Sequence, residues 1–250
     1  MTENAPTTSG DETRLDQAFN AAIAGIAPLE GNLGVLFSGG VDSSLLAWEL
    51  RATRGLRLFT IGLLETADLK AAEEGARQLG LPWEGSVVEP EEVRRLAREL
   101  AAELGGLGRV DRSVQTAFAL AVARAPSLRL VCGQGVDELF LGYAHYRGLP
   151  APDALRRSEE DLRKLVEEEW PRSQRIAARL ERTVVAPYLD ERFVAAARAI
   201  PIERRRPDPV PKAFFRSWAE RRGLPPSLAA RPKRALQFGS GVDRVLRRMD

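Results

Sequence analysis

A chain of 250 residues with 44% hydrophobic and 29% charged content is long enough to bury a sizeable core. Its 37 basic and 35 acidic residues leave a net charge of +2, too near neutral to demand a nucleic-acid partner, and one cysteine, Cys132, excludes an intrachain disulfide or a Cys-x-x-Cys metal site. No apolar run approaches the ~20 residues that cross a bilayer, and the polar stretch Met1 to Asp11 is unlike a signal peptide, so a cytoplasmic protein with no membrane contact is expected.

Residues 1–12 are expected to lack order. Apolar residues at helical spacing (Leu15, Phe19, Ala22, Ile23, Ile26) predict a helix over Thr13 to Ile26, and Leu33 to Phe37 is an apolar run of strand length. A helix is predicted over Val41 to Ala52, a strand over Leu56 to Ile61, and a helix over Ala67 to Leu79 closed by Gly80 and Pro82. Trp83 to Val88 reads as a strand, Pro90 to Leu104 and Ser113 to Ala125 as helices, and Leu128 to Val131 as a short buried strand. Strands alternating with helices imply a parallel sheet with right-handed crossovers. Beyond Gly148 the pattern is almost wholly helical, over Glu159 to Glu169, Ser173 to Arg182, Glu191 to Ala199, Lys212 to Arg222 and Val242 to Arg248. Proline-rich joints at 150–152, 207–211 and 225–226 separate these helices. One domain results, with an α/β core over 30–148 and a mostly helical extension over 149–250.

Between the first strand and its helix lies Leu36-Phe37-Ser38-Gly39-Gly40-Val41-Asp42-Ser43-Ser44. Gly39 and Gly40 let the backbone approach phosphate oxygens, the N–H groups opening the next helix face the anion, and Ser38, Ser43 and Ser44 add hydroxyl donors. The spacing is not that of a Walker A loop, which argues against γ-phosphoryl transfer. In an open α/β sheet, ligands sit outside the carboxyl ends of the strands, where a second loop, Gly133-Gln134-Gly135-Val136-Asp137-Glu138, also emerges. Asp42 and Asp137 beside a polyphosphate require a divalent cation between them; the alternative is that both are helix N-caps. Glu138 is either a carboxylate behind the metal ligands or a first-turn acid favoured by the helix dipole. Cys132 reads as a small buried hydrophobe, and His145, Tyr143 and Tyr146 as packing or surface residues. The basic runs Arg204-Arg205-Arg206, Arg221-Arg222 and Arg247-Arg248 read as solvated faces.

Ser38-Gly39-Gly40-Val41-Asp42-Ser43 resembles the PP-loop of the ATP pyrophosphatases, the adenine nucleotide alpha hydrolase-like enzymes that split ATP into AMP and pyrophosphate. Gly133 to Glu138 with Phe140-Leu141-Gly142-Tyr143 resembles the Gly-Glu-Gly-Ser-Asp-Glu and Phe-Gly-Gly-Tyr signature of asparagine synthetase-type domains. Pro187-Tyr188-Leu189-Asp190 is similar to that family's Pro-Phe-Leu-Asp. Arg231-Pro232-Lys233 followed by Gly239 and Gly241 is similar to its Arg-x-Lys and Gly-x-Gly.

The resemblance implies an ATP- and Mg²⁺-dependent ligase that adenylates a carboxylate, aspartate by default, and passes the acyl group to ammonia or another amine. It makes Asp42 and Asp137 the metal ligands. Ser38, Gly39, Gly40, Asp42, Ser43, Ser44, Gly133 and Gly135 become the phosphate-side contacts, and adenine is expected to be selected at Leu36, Ser38 and Thr60-Ile61-Gly62, where backbone groups can read its edge. Lys233, on a loop that closes over the nucleotide, stabilises the transition state, and Lys212 lies near the phosphates. Asp68 matches an acidic position of the pattern. Gln134 stands where asparagine-forming enzymes carry Glu, and an amide orients a nucleophile but is no general base. Val184 and Val185 stand where the family has a nearby arginine. Thr2 follows Met1, with no nucleophilic Cys and no glutaminase domain before the PP-loop, so ammonia is expected from solution or from a separate glutaminase subunit. A homodimer is also compatible, and a nucleic-acid partner is not expected. The alternatives are an ATP-binding subunit dependent on that glutaminase and a PP-loop enzyme modifying tRNA or nucleotides.

Overall fold

The computed structural model describes residues 10–26, 32–105, 107–206, 210–231 and 236–248. Helix α1 (Gly10–Ala24) leads to β1 (Leu33–Leu36), α2 (Val41–Glu49), β2 (Arg57–Gly62), α3 (Ala67–Leu79) and β3 (Trp83–Val87). Helices α4 (Pro90–Leu104) and α5 (Arg109–Arg124) then return the chain to β4 (Arg129–Val131), which feeds the short α6 (Val136–Leu139). Helix α7 (Ala151–Lys164) passes through a π turn, Leu165–Glu169, into α8 (Trp170–Arg179) and β5 (Thr183–Val185). Beyond β5 the described residues form helices α9 (Glu191–Ala199), α10 (Ile202–Arg205), α11 (Ala213–Arg221), α12 (Pro226–Ala229), α13 (Leu236–Gly239) and α14 (Val242–Leu246).

All strand pairs are parallel, in the order β3-β2-β1-β4-β5, with Val35 beside both Leu58 and Val131. This is the expected α/β parallel-sheet class with a helical C-terminal part. Alternation along the strands assigns the two faces. Leu33, Val35, Leu58 and Val131 pack with Phe19, Tyr188, Phe193 and Trp218, while Phe59, Ile61, Leu130 and Val184 pack under α4, α5, α8 and α14. The chain winds from β1 out to β3 and then crosses to β4, so the direction reverses between β1 and β4. A crevice opens at such a switch point, beyond the carboxyl ends of the two strands.

Several sequence expectations change. Helix α1 begins at Gly10, inside the segment expected to lack order. β5 was not foreseen: the three residues Thr183–Val185, too short for a periodicity signal, pair with β4 and complete the sheet. The sheet therefore draws a strand from the segment expected to be helical. Pro150 and Pro152 do not separate helices but open α7, where a missing N–H costs nothing.

Two of the arginine runs are partly turned inward, while Arg221, Arg247 and Arg248 lie on exposed faces as expected. Arg205 is buried and donates to Leu139 O at 3.2 Å, and Arg206 donates to Tyr146 O at 3.0 Å and Leu149 O at 2.9 Å. Arg204 bonds Asp11 at 2.9 Å and Glu12 at 3.2 Å, tying α1 to α10. Arg222 reaches Asp16 and Glu49, each at 2.8 Å. The forked guanidinium satisfies carbonyls and carboxylates that would otherwise be buried unpaired. Among the described residues no helix is long and apolar enough to cross a membrane.

Candidate active site at the sheet switch point

The loop after β1 is tied by its own serines. Ser38 N donates to Ser43 Oγ at 3.2 Å, Gly40 N to Ser38 Oγ at 3.3 Å, and Ser43 Oγ to Gly40 O at 3.2 Å. Gly39 has φ +69°, and a Cβ there would meet Arg231 Nη1 at 2.6 Å and Ala71 O at 2.7 Å. Glycine is required on both counts. Arg231 donates to Gly39 O at 3.3 Å and Ala71 O at 2.5 Å, pinning the loop to α3. No side chain caps α2, whose N-cap is Gly40, and the buried Ser44 Oγ has no hydrogen-bond partner. The junction thus offers a buried hydroxyl and first-turn N–H groups to an anion.

The loop after β4 packs directly on the first. A Cβ on Gly133 would lie 3.1 Å from Asp42 Cβ and 3.4 Å from Ser43 N, so both signatures share one wall. Gly135, at φ +104°, caps α6. Asp42 and Asp137 each stand one turn position inside their helices, behind the glycine N-caps, which overturns the cap alternative. Both carboxylates are buried, and both meet Lys212. Its Nζ lies 2.9 and 2.7 Å from the two Asp42 oxygens and 2.7 Å from Asp137 Oδ1. Burial pushes the Lys212 pKa down, and the Asp42 charge opposes that shift.

Glu138 lies behind this cluster, 5% exposed, and accepts the Tyr143 phenol at 2.6 Å. Burial pushes its pKa up to about 7, against the pull of that bond and of Lys212. Tyr143 is thus more than the packing residue expected. Leu141 takes φ +51° where the family pattern has glycine; its side chain is buried with Tyr146 and Ala154, which offsets the strain. Glu169, at the end of the π turn, is near enough for its charge to raise both Glu138 and Tyr143, and it shares Lys164 with Asp111 at 3.1 and 2.9 Å. Sequence reading missed Glu169, because in Glu167-Glu168-Glu169 only the π turn selects which acid faces inward. Gln134 is half-buried, its Oε1 accepting from Cys132 Sγ at 3.8 Å. Cys132 is buried, its thiol pushed up to about 12, as befits a packing residue.

Leu36 and Ser38 are half-buried at the end of β1. On the adenine side the expectation concerns the backbone groups of Thr60-Ile61-Gly62, not their side chains. Thr60 Oγ1 donates to Phe37 O and accepts from Trp83 Nε1 at 3.0 Å, and the Ile61 side chain is 1% exposed, so both side chains belong to the core. Asp68 is buried where a Cβ on Gly239 would overlap its carboxylate, and Leu63 N donates to Ser240 O at 2.9 Å. The Gly239-Ser240-Gly241 segment is therefore docked on the loop after β2. Lys233 lies outside the described residues. His145 is exposed and bonds Asp161 at 2.7 Å.

Among the described residues no group of three or more His, Cys, Asp or Glu could hold a metal ion. Magnesium needs fewer from the protein, because it takes one or two carboxylates and completes its shell with water and substrate phosphate. Asp42 and Asp137 supply two hard donors converging on one cation, here the Lys212 ammonium, so the residues fit.

The asparagine synthase family model matches residues 14–186 and 156–249. The chain is 30% identical over 241 residues to the glutamine-hydrolysing asparagine synthetase of Rattus norvegicus, covering 91% of this chain and 43% of that protein. Against the Gallus gallus enzyme of the same name it is 30% identical over 227 residues, covering 85% and 40%. It thus spans less than half the length of these relatives. The structure of an NH3-dependent NAD synthetase from Campylobacter jejuni superposes with a TM-score of 0.38 and 16% identity over 70% of this chain and 93% of that one. A family match running from α1 past α14, through both strand-end loops, makes this chain a member of the asparagine synthase family.

Proposed function

We propose that this protein is an ATP-dependent amide-forming ligase, adenylating a carboxylate with release of pyrophosphate and transferring the acyl group to ammonia or another amine. Aspartate is the first carboxylate to consider, by family. The observation that carries the reading is the convergence of Asp42 and Asp137, from the first turns of the helices that follow adjacent strands, on one cation position beside the uncapped start of α2. Asp42 and Asp137 would hold Mg²⁺, which would supply charge neutralisation for the departing pyrophosphate. The backbone of Ser38 to Ser44 binds and orients the phosphates, with Gly133 and Gly135 closing the wall. Lys233 and Lys212 oppose the negative charge that builds on the reacting oxygens. Gln134, an amide, orients the incoming amine and does not deprotonate it.

AMP and pyrophosphate release from ATP and Mg²⁺, across a panel of carboxylates headed by aspartate with and without ammonium, tests the reading. Turnover with one carboxylate names the acyl substrate. Binding of ATP without turnover under any condition supports instead an ATP-binding subunit that works with a separate glutaminase, a reading that Gln134 favours. The tRNA-modifying alternative draws less support from the C-terminal helices, because Arg205, Arg206 and Arg222 bond inward and leave Arg221, Arg247 and Arg248 as the exposed members of the arginine runs.

A further inference from the structure

The Lys212 ammonium sits where the two aspartates converge. It is 2% exposed, reaches both oxygens of Asp42 and one of Asp137, and lies on a residue with φ +58°. That left-handed conformation is costly for a non-glycine residue, and here it is adopted by a buried one. The lane for its stem exists because residue 142 is glycine: a Cβ there would overlap both Asp137 Oδ1 and Lys212 Cε. Three elements, α2, α6 and the start of α11, are thus built around one buried cation belonging to the chain itself.

We propose that Lys212 is an internal counter-ion that keeps divalent cations out until a nucleotide arrives, so that metal and polyphosphate enter together. This rests on the ligase reading above. Charge balance carries the argument. Both buried carboxylates are already held by one ammonium through three short contacts. A bare divalent ion would have to displace the ammonium from three charge-assisted contacts and leave it buried without a partner, which is costly. A nucleotide removes that penalty, because its phosphate oxygens give the displaced ammonium a new partner. The flexible lysine stem, with a compact charge at its end, suits a group that changes partners, and the planar fork of arginine would not.

Mn²⁺ binding followed by electron paramagnetic resonance tests this without turnover. Wild-type protein is expected to bind Mn²⁺ weakly alone and tightly with α,β-methylene-ATP. Lys212→Met, which keeps the stem volume and removes the charge, is expected to bind Mn²⁺ alone on the order of 100-fold more tightly than wild type. A matching rise in melting temperature with Mn²⁺ is expected for the variant only. Adding Asp42→Asn to Lys212→Met is expected to abolish the gain, and retention of the gain would overturn the assignment of the site. Equal Mn²⁺ affinity of wild type and Lys212→Met without nucleotide overturns the counter-ion role and leaves the ligase reading standing. Failure of wild type to bind Mn²⁺ even with nucleotide overturns the ligase reading instead. Should Lys212→Met not fold, the wild-type comparison decides: Mn²⁺ bound equally well with and without nucleotide overturns the proposal.

Discussion

Tyr188 donates its phenolic O–H to the main-chain carbonyl of Asp42 at 2.9 Å, joining the start of α2 to the corner after β5. The ring is fully buried and stacks on Phe19 at 5.4 Å, so packing and hydrogen bond separate cleanly. Tyr188→Phe keeps the stack, restores the aromatic of the family pattern and loses the bond. The expected cost is about 1 kcal/mol, or roughly 2–4 °C in melting temperature, read by urea and thermal unfolding. Unchanged stability would show that the tie contributes nothing.

Gly142→Ala places a methyl group on Asp137 and Lys212 at once. The protein is expected to fold but to lose turnover by about 100-fold, since displacement of a reacting-site group by about 1 Å has that scale. Steady-state AMP formation beside circular dichroism checks both halves.

Lys233→Ala is expected to lower kcat by two to three orders of magnitude, about 2.7 to 4 kcal/mol, as for loss of one donor to transition-state charge. KM for ATP is expected to move by much less. A rate equal to wild type would transfer the role to Lys212.

Asp190 caps α9 by accepting from Arg192 N at 2.9 Å, and the Arg192 side chain holds its carboxyl below the usual 3.8. With a depressed native pKa, the unfolded chain binds the proton first as pH falls. The contribution is therefore full above the unfolded value and is lost as pH drops through the native one. Asp190→Ala is expected to cost about 1 kcal/mol at neutral pH, and the gap to wild type is expected to close in acid below about pH 3.8. Urea titrations at several pH values measure the gap; a constant difference would remove the charge from the explanation.

Much of the site was legible in the chain because phosphate cradles depend on local backbone freedom. Gly39 and Gly135 adopt the positive φ that their loops require, and α3, α4 and α9 begin and end where periodicity and caps place them. β5 was not legible, because three residues carry no period and its strand character comes from pairing with β4. The engagement of the Thr60 hydroxyl by Phe37 and Trp83 was not legible either, since both partners lie 23 residues away in the chain.

The sequence by itself determined the fold class, the two strand-end loops and the identity of the acidic pair, since each is written in short-range glycine spacing and apolar period. Only the tertiary structure decided what those residues meet. It placed the Lys212 ammonium between Asp42 and Asp137, Glu169 near Glu138, and Arg231 on the carbonyl of Gly39. These relationships join residues far apart in the chain, and their electrostatics depend on burial, which exists only once the sheet and its helices have closed around them.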